Sequence, residues 1–224
     1  MADKTPVLYT EAQEKSIRHY ISQIFGEKEW SFCYLEVNSE YVHIDLMTAG
    51  DEERALVTVG MGARAMNCLN LSVPDKLARI ELAMHMRDRS EEKENTPPVD
   101  EMLVASELVR LSKYPFEYDT VLLPGTIIDA SETFERVFGY KYFMIMACAY
   151  DCGERLIKEL GTVNFFSAAP IYEDEYEWVM NNKGLSRFYT ELSKLTVFED
   201  TLLCVDNRRE HIIPSDSDDG ASEQ

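Results

Sequence analysis

Hydrophobic residues recur at helical spacing near the amino-terminal end of the sequence, which predicts an amphipathic first helix. Its apolar face consists of Ile17, Tyr20, Ile21, Ile24 and Phe25. The run Thr10-Glu11-Ala12-Gln13 has the pattern of a capping box, in which the threonine hydroxyl and the glutamine side chain satisfy backbone N–H groups. Gly26 follows as a left-handed stop signal.

Alternation of apolar and polar residues predicts four strands after this helix. They span Phe32–Val37, Tyr41–Met47, Ala55–Val59 and Leu77–Met86. Asn38-Ser39-Glu40 is typical of a short hairpin loop between the first two strands. After the third strand, the glycines of Gly60-Met61-Gly62 permit a sharp bend, because they lack a side chain that would clash.

The middle of the chain contains a charged break and a second helix. Arg87 to Pro98 is charged and ends in two prolines, so it is predicted to be a surface loop or a linker. A helix is expected to start near Asp100 and to stop before Pro115, because proline restricts the residue that precedes it. From Phe116 to Phe138 the pattern predicts mainly irregular structure, with a short helix at Ser131–Phe138.

Two further strands and two helices are predicted in the last third of the chain. The strands are Lys141–Tyr150 and Thr162–Ala169, and Glu154–Leu160 between them fits either a short helix or part of a long hairpin. The helices are Tyr172–Asn181 and Leu185–Leu195. Because the strands are joined mainly by short loops and do not alternate with helices, the predicted fold is α+β, a mixed, largely antiparallel sheet with helices packed on it.

The length of 224 residues is enough for one large domain with a sizeable core. We expect a single domain over residues 1–213. Residues 214–224 begin with Pro214 and are rich in serine and aspartate, so we expect them to form a disordered acidic tail.

The balance of charge is strongly acidic. The chain has 41 acidic and 22 basic residues, which gives a net charge of −19. Such a surface repels nucleic acid phosphates and anionic lipid surfaces, so we expect neither kind of partner. It attracts a basic protein and speeds the encounter with it, although a need for solubility explains the same charge equally well.

The cysteines and the chain start indicate the compartment. The five cysteines, an odd number with no disulfide-framework spacing, are Cys33, Cys68, Cys148, Cys152 and Cys204. Residues 1–4 are followed by no apolar segment of a signal peptide, and the longest apolar run is too short to span a bilayer. We therefore expect a cytoplasmic protein with reduced thiols.

Candidate catalytic and metal-ligating residues are sparse. Cys148 and Cys152 lie at the end of an apolar strand with no second cysteine or histidine pair nearby, so no metal site is expected. His43 and His85 fit one face of a sheet, where lone histidines are usually structural. Cys33, like Cys148, sits in an apolar strand pattern that favours a small core residue over a nucleophile. No enzymatic activity and no cofactor are expected.

The segment Gly60-Met61-Gly62-Ala63-Arg64 is a candidate phosphate-binding loop because two glycines follow a strand. It lacks the third glycine of a dinucleotide fingerprint and the Lys-Ser/Thr of a P-loop. A turn or bulge is therefore the favoured interpretation.

An acidic segment near the last third stands out as a candidate for binding. Its carboxylates are Glu173, Asp174, Glu175 and Glu177, and Tyr172, Tyr176 and Trp178 lie among them. At the start of a helix such acids are stabilised by the helix dipole, and the aromatic residues fit the buried face of an amphipathic helix. The alternative is an anionic patch with aromatic anchors that contacts a basic partner.

Several short motifs resemble, in matching order, the suppressor-of-fused-like family. They are Thr58-Val59-Gly60-Met61, Arg79-Ile80-Glu81-Leu82, the helix from Leu108 to Pro115, Leu123-Pro124-Gly125-Thr126, the strand and acids from Phe165 to Glu175, and Gly184-Leu185. Gly62 departs from the pattern, because a serine is often expected there. The resemblance covers most of residues 30–195.

The resemblance implies a mixed α+β fold, no enzymatic chemistry and a protein partner. The eukaryotic namesake restrains a transcription factor, and the bacterial members are associated with immunity against toxins, many of them basic nucleases. The chain is accordingly expected to be an immunity protein or antitoxin that neutralises a basic toxin, with Glu173, Asp174, Glu175 and Glu177 in the contact. The alternatives are a regulatory adaptor that sequesters an endogenous protein and an enzyme whose site carries no known motif.

Overall fold

The computed structural model describes residues 7–24, 31–35, 37, 39–40, 42–49, 53–68, 74–87, 99–147, 154–181 and 205–206. The helices are α1 (Glu11–Ile24), α2 (Glu101–Glu117), α3 (Glu132–Phe138) and α4 (Glu173–Asn181), and short 3₁₀ turns lie at Met61–Ala63 and Asp75–Leu77. The strands are β1 (Ser31–Leu35), β2 (His43–Ala49), β3 (Glu53–Val59), β4 (Ile80–Arg87), β5 (Ile127–Asp129), β6 (Tyr142–Ala147), β7 (Glu154–Ile157), β8 (Gly161–Ile171) and β9 (Val205–Asp206).

The described strands form one sheet in the order β1-β2-β3-β4-β8-β6-β5. The first four strands are an antiparallel meander, and β8 joins it by pairing parallel to β4. β6 and β7 both pair antiparallel with β8, one after the other along its length, while β9 pairs parallel with the end of β4. The predicted α+β fold with a mixed, largely antiparallel sheet is therefore confirmed.

Helices cover both faces of this sheet. On one face, Leu56 and Leu82 belong to the largest buried cluster, together with apolar residues of α2 and α3 such as Leu108 and Phe134. On the other face, Ile17 and Ile21 of α1 pack over β3, β4 and β8, and Val179 of α4 packs over β6 and β8. The alternation of neighbouring strand residues between the two clusters is the pattern of a sheet that is buried on both sides.

The helix starts agree with the local sequence signals. The capping box of α1 is formed, because the Gln13 amide donates to the Thr10 hydroxyl at 3.3 Å and the Thr10 amide donates to the Gln13 side-chain oxygen at 3.0 Å. Asp100 caps α2 by accepting from two backbone N–H groups, and the Ser131 hydroxyl caps α3 in the same way.

The predicted end of the second helix is wrong. α2 does not stop before Pro115 but continues through it to Glu117. Proline removes one helical hydrogen bond, yet the N–H groups of Tyr118 and Thr120 still donate to the carbonyls of Tyr114 and Pro115. Because Pro115 is buried in the domain, tertiary packing outweighs the local signal.

Two strand predictions also change, and an alternative that the sequence left open is decided. β5 lies in the segment that was predicted to be mostly irregular, and it pairs with β6. The fourth strand begins at Ile80 instead of Leu77, because Asp75–Leu77 forms a 3₁₀ turn. The long-hairpin alternative for Glu154–Leu160 is correct: β7 turns into β8 through Glu159 and Gly161, which have φ values of 66° and 96°.

Several predictions fall outside the described residues. They concern the stop at Gly26, the loop at residues 88–98, the thiols Cys148 and Cys152, the helix Leu185–Leu195 and the tail from Pro214.

Candidate partner-binding surface

The predicted acidic segment forms the first turn of α4 and the start of its second turn. Glu173 and Glu177 are exposed, and Glu173 forms an ion pair with Lys141. Asp174 is half-buried, and its carboxylate accepts from the Glu175 amide at 2.9 Å. The structure therefore presents two of these carboxylates fully to solvent.

Glu175 has a different position from the one expected. It is completely buried, and its carboxylate accepts a hydrogen bond from the Tyr172 amide at 2.8 Å. This is the N3 half of a capping box, in which the carboxylate satisfies the N–H group that precedes the helix. Glu175 thus holds the start of α4 and cannot itself reach a partner.

The aromatic residues of the segment face the protein. The Tyr172 ring lies 4.6 Å from that of Tyr140, and the Tyr176 ring lies 4.3 Å from that of Tyr142, both between centroids. Trp178 packs beside the cluster under α4. The sequence allowed these aromatic residues to be either anchors for a partner or the buried face of an amphipathic helix. Their contacts match the buried face.

Carboxylates from three elements lie near Lys141 and the adjacent Tyr142. Hydrogen bonding to Glu173 raises the pKa of Lys141, and the charge of Glu135 on α3 adds to the effect. Burial raises the pKa of the adjacent Tyr142, and the charges of Glu173 and of Asp129 on β5 contribute further. We call the exposed carboxylates Asp129, Glu135, Glu173 and Glu177 the acidic surface.

Sequence reasoning did not find Asp129 and Glu135. They lie in β5 and α3, far along the chain from α4, and come near it only because β5 pairs with β6 and β6 pairs with β8. No local spacing signals this meeting, because it depends on strand order.

A second polar cluster lies in the core around Glu81 of β4. This fully buried carboxylate accepts from the Thr58 hydroxyl at 2.6 Å, the Tyr9 hydroxyl at 2.7 Å and the amides of Gly60 and Gly62 at 3.1 and 3.0 Å. The backbone donors that a phosphate would need are therefore occupied by Glu81. A structural turn is the interpretation that the geometry supports.

Burial raises the pKa of Glu81 to about 7, although the hydrogen bonds from Thr58, Tyr9 and the two glycine amides oppose the shift. The Arg79 guanidinium lies beside this turn and donates to the Gly62 carbonyl at 2.9 Å. A buried carboxylate that is satisfied by four donors stabilises a local backbone conformation. Sequence reasoning did not select Glu81, because a single acid in an alternating strand reads as a solvent-facing residue.

The other candidate residues are dispersed. His43 and His85 lie on the same sheet face, as expected, but on different strands separated by β3. Cys33 is exposed, so its assignment as a core residue is wrong, because β1 is an edge strand with little covering it. Within the part of the chain that the structure describes, no group of three metal-ligating side chains comes together, and no helix is both long and apolar enough to cross a membrane.

Comparison with known families identifies the domain. The sequence model of one family, described as Suppressor of fused protein (SUFU), matches residues 40–210, which is most of the chain. The chain belongs to the suppressor of fused family. No curated protein matches this SUFU-family chain in sequence.

Solved structures of SUFU proteins share the fold. A putative SUFU homologue from Neisseria gonorrhoeae has a TM-score of 0.58 at 13% identity, and the match covers 91% of this chain and 98% of that one. A chain of the Sufu–Fu complex has a TM-score of 0.63 at 14% identity, covering 91% and 93%. Drosophila Suppressor of Fused has a TM-score of 0.54 at 13% identity, and the match covers 90% of this chain and 51% of that longer one.

Proposed function

We propose that this SUFU-family chain is a non-enzymatic protein-binding domain of the bacterial cytoplasm, and that it acts as an immunity protein that neutralises a basic toxin by direct binding. The acidic surface is the observation that carries the proposal. Membership of the family supports it, since a SUFU relative was solved in complex with the protein Fu.

The acidic surface suits a partner that presents lysine or arginine side chains. Lys141 already shows the favoured geometry, because its ammonium group pairs with Glu173 and lies 5.9 Å from the centre of the Tyr142 ring. An exposed ion pair of this kind contributes little to stability, so a partner cation can replace Lys141 at low cost. Glu175 supports the surface from below by fixing the start of α4.

Long-range charge supplies the second part of the argument. A net charge of −19 attracts a basic protein before contact and raises the association rate. The same charge disfavours a nucleic acid partner. The toxin is therefore expected to be inhibited by occupation of its own basic surface.

A charge-reversal experiment tests the contact. The full-length protein captures its partner from lysate at low salt, mass spectrometry identifies the partner, and stopped-flow fluorescence gives the association rate. We expect Glu173→Lys with Glu177→Lys to lower that rate at low salt by about tenfold or more, and the loss to shrink as salt screens the charges.

The matched control is Glu11→Lys with Glu117→Lys, which changes the net charge equally at exposed positions on α1 and α2. It should lower the rate much less, because its charges lie away from the contact. Equal rates for the two double variants would show that only net charge matters and would remove the acidic surface from the proposal.

A regulatory adaptor remains the second candidate function, since a relative was solved in complex with the protein Fu. A growth assay separates the two functions. If expression of the captured partner alone arrests growth and co-expression of this chain restores it, the chain is an immunity protein. If the partner is harmless alone, the adaptor is the correct function.

A further inference from the structure

The segment before α1 is fastened to the middle of the sheet by a buried hydrogen bond. The Tyr9 hydroxyl donates to Glu81, and the Tyr9 ring packs on the apolar cluster between α1 and the sheet. Glu81 is thus covered by Tyr9 on the side where α1 lies. No other hydroxyl donor from the described part of the helical layer reaches it.

Gly62 makes room for this contact. A Cβ atom added at Gly62 would lie 2.5 Å from the Tyr9 hydroxyl oxygen and 3.0 Å from a methyl carbon of Val163. The φ angle at Gly62 is not in the left-handed region. The fold therefore requires glycine here because a side chain would not fit, and not because of the backbone conformation. The Tyr9 hydroxyl occupies the space that a side chain would fill, and from there it reaches Glu81.

A second polar anchor fixes α1 farther along. The Arg18 guanidinium donates from Nη2 to Oδ1 of Asp45 on β2 at 3.0 Å and forms an ion pair with it, and Asp45 is nearly buried. The hydrogen bonds that Tyr9 and Arg18 make to the sheet therefore both end on carboxylates. Docking of α1 is accordingly sensitive to the ionisation of the sheet beneath it.

We propose that Tyr9 and Glu81 form a latch, and that ionisation of Glu81 sets how firmly α1 is docked on the sheet. In the docked state Glu81 is buried from water. When the segment with Tyr9 lifts, water reaches the carboxylate and stabilises its charged form. Deprotonation therefore favours the lifted state.

The direction with pH follows from linkage. Burial raises the pKa of Glu81 to about 7 in the docked state, whereas a hydrated carboxyl group titrates near its ordinary value of about 4.3. The docked state thus holds a proton that the lifted state has lost, so docking is strongest at acidic pH and weakens as pH rises to about 7. Above that value both states are ionised and docking no longer changes with pH.

Three other ionisable groups on this face also have shifted pKa values. Burial raises the pKa of Asp45, and Arg18 opposes the shift, so Asp45 also favours docking at low pH. Burial and then the charge of Glu81 raise the pKa of Tyr9, while burial lowers that of Arg79. The remaining groups facing this region are Glu14 on α1, His43 on β2 and His85 on β4.

Hydrogen exchange followed by mass spectrometry tests the latch on the full-length protein. Protection factors of α1 peptides are compared with those of β3 and β4 between pH 5 and pH 8.5, each corrected for intrinsic exchange. We expect α1 to open while β3 and β4 stay protected, and its protection to fall by up to about tenfold per pH unit below pH 7. In Glu81→Gln, which cannot ionise, this fall should become much smaller, leaving only the contribution of Asp45.

A double-mutant cycle tests the geometry. At pH 8, where Glu81 is ionised, Tyr9→Phe removes the hydroxyl and should lower α1 protection by about tenfold or more, the effect of losing a hydrogen bond to a charged group. Tyr118→Phe, at an exposed position, is the matched control. Gly62→Ala should lower α1 protection less in Tyr9→Phe than in the parent, because the closest clash is with the hydroxyl, while the contact with Val163 remains in both.

Three results would overturn the proposal. One is equal protection of α1 and of β3 and β4 at every pH, since α1 would then leave the sheet only when the whole domain unfolds. Another is α1 protection that is independent of pH in the parent protein. The third is additivity of Tyr9→Phe and Gly62→Ala, which would mean that the two groups do not meet. The first two results are measured on the parent protein alone, so the proposal is still tested if a variant fails to fold.

Discussion

At the scale of single residues, Thr58 links two strands through its side chain. Its hydroxyl donates to Glu81 at 2.6 Å and accepts from the Leu82 amide at 2.8 Å. The regular pairing of β3 with β4 ends at Val57, so the threonine replaces a backbone ladder bond and also satisfies a buried charge. Loss of this hydroxyl leaves two buried groups without that partner.

Thr58→Val is therefore expected to lower the free energy of unfolding by about 3 kcal/mol, since each unsatisfied buried group costs about 1–3 kcal/mol. Urea denaturation at pH 8 measures the change. Thr162→Val on β8 is the control, a half-buried threonine in the same kind of strand. A difference below about 0.5 kcal/mol between the two variants would contradict the role given to Thr58.

At the scale of elements, α4 depends on an acid that looks like part of its surface. Glu173, Asp174 and Glu175 all fall in the first turn, where the helix dipole favours negative charge. Only Glu175 turns inward and binds the N–H group at Tyr172. The four acids of the segment thus divide between stabilising the helix and presenting charge to solvent.

This division predicts unequal effects of truncation. Glu175→Ala should lower the free energy of unfolding by about 1–2 kcal/mol, the usual contribution of a helix cap. Glu177→Ala, two residues away and exposed, should change it by no more than about 0.5 kcal/mol. Thermal unfolding by circular dichroism compares them, and equal effects would mean that the cap contributes nothing.

Local sequence signals predicted the elements correctly where neighbouring residues alone determine the structure. The capping box at Thr10 needs only neighbouring residues, and it was found from the sequence, as was the short helix at Ser131–Phe138. Pro115 and β5 were misjudged, because burial and strand pairing with distant residues decide them. The burial of Glu175 was missed for the same reason: which face of α4 turns inward depends on the sheet beneath it.

At the scale of the whole molecule, like charges crowd one another. The chain has 41 acidic and 22 basic residues, so folding brings like charges close together, and their repulsion destabilises the folded state. The described ion pairs, such as Arg18–Asp45 and Lys141–Glu173, relieve this only locally. The repulsion is long-ranged and is therefore open to screening by salt.

Raising the salt concentration from about 0.05 to 0.5 M should stabilise the protein. Each kcal/mol gained is expected to raise the melting temperature by about 2–4 °C for a chain of this size. Differential scanning calorimetry measures the shift. The double variant Glu11→Lys with Glu117→Lys should gain less from salt, and a melting temperature that falls with salt would show that attractive ion pairs dominate instead.

The parallel pairing of β4 with β8 has a consequence for biosynthesis. Ile80 lies opposite Asn164, so one edge of β4 stays without its partner while the ribosome adds more than eighty residues. At about 5–20 residues per second this interval lasts roughly 4–17 s. During that time the nascent meander β1–β4 presents an apolar strand edge to solvent, where it is open to mispairing with other chains.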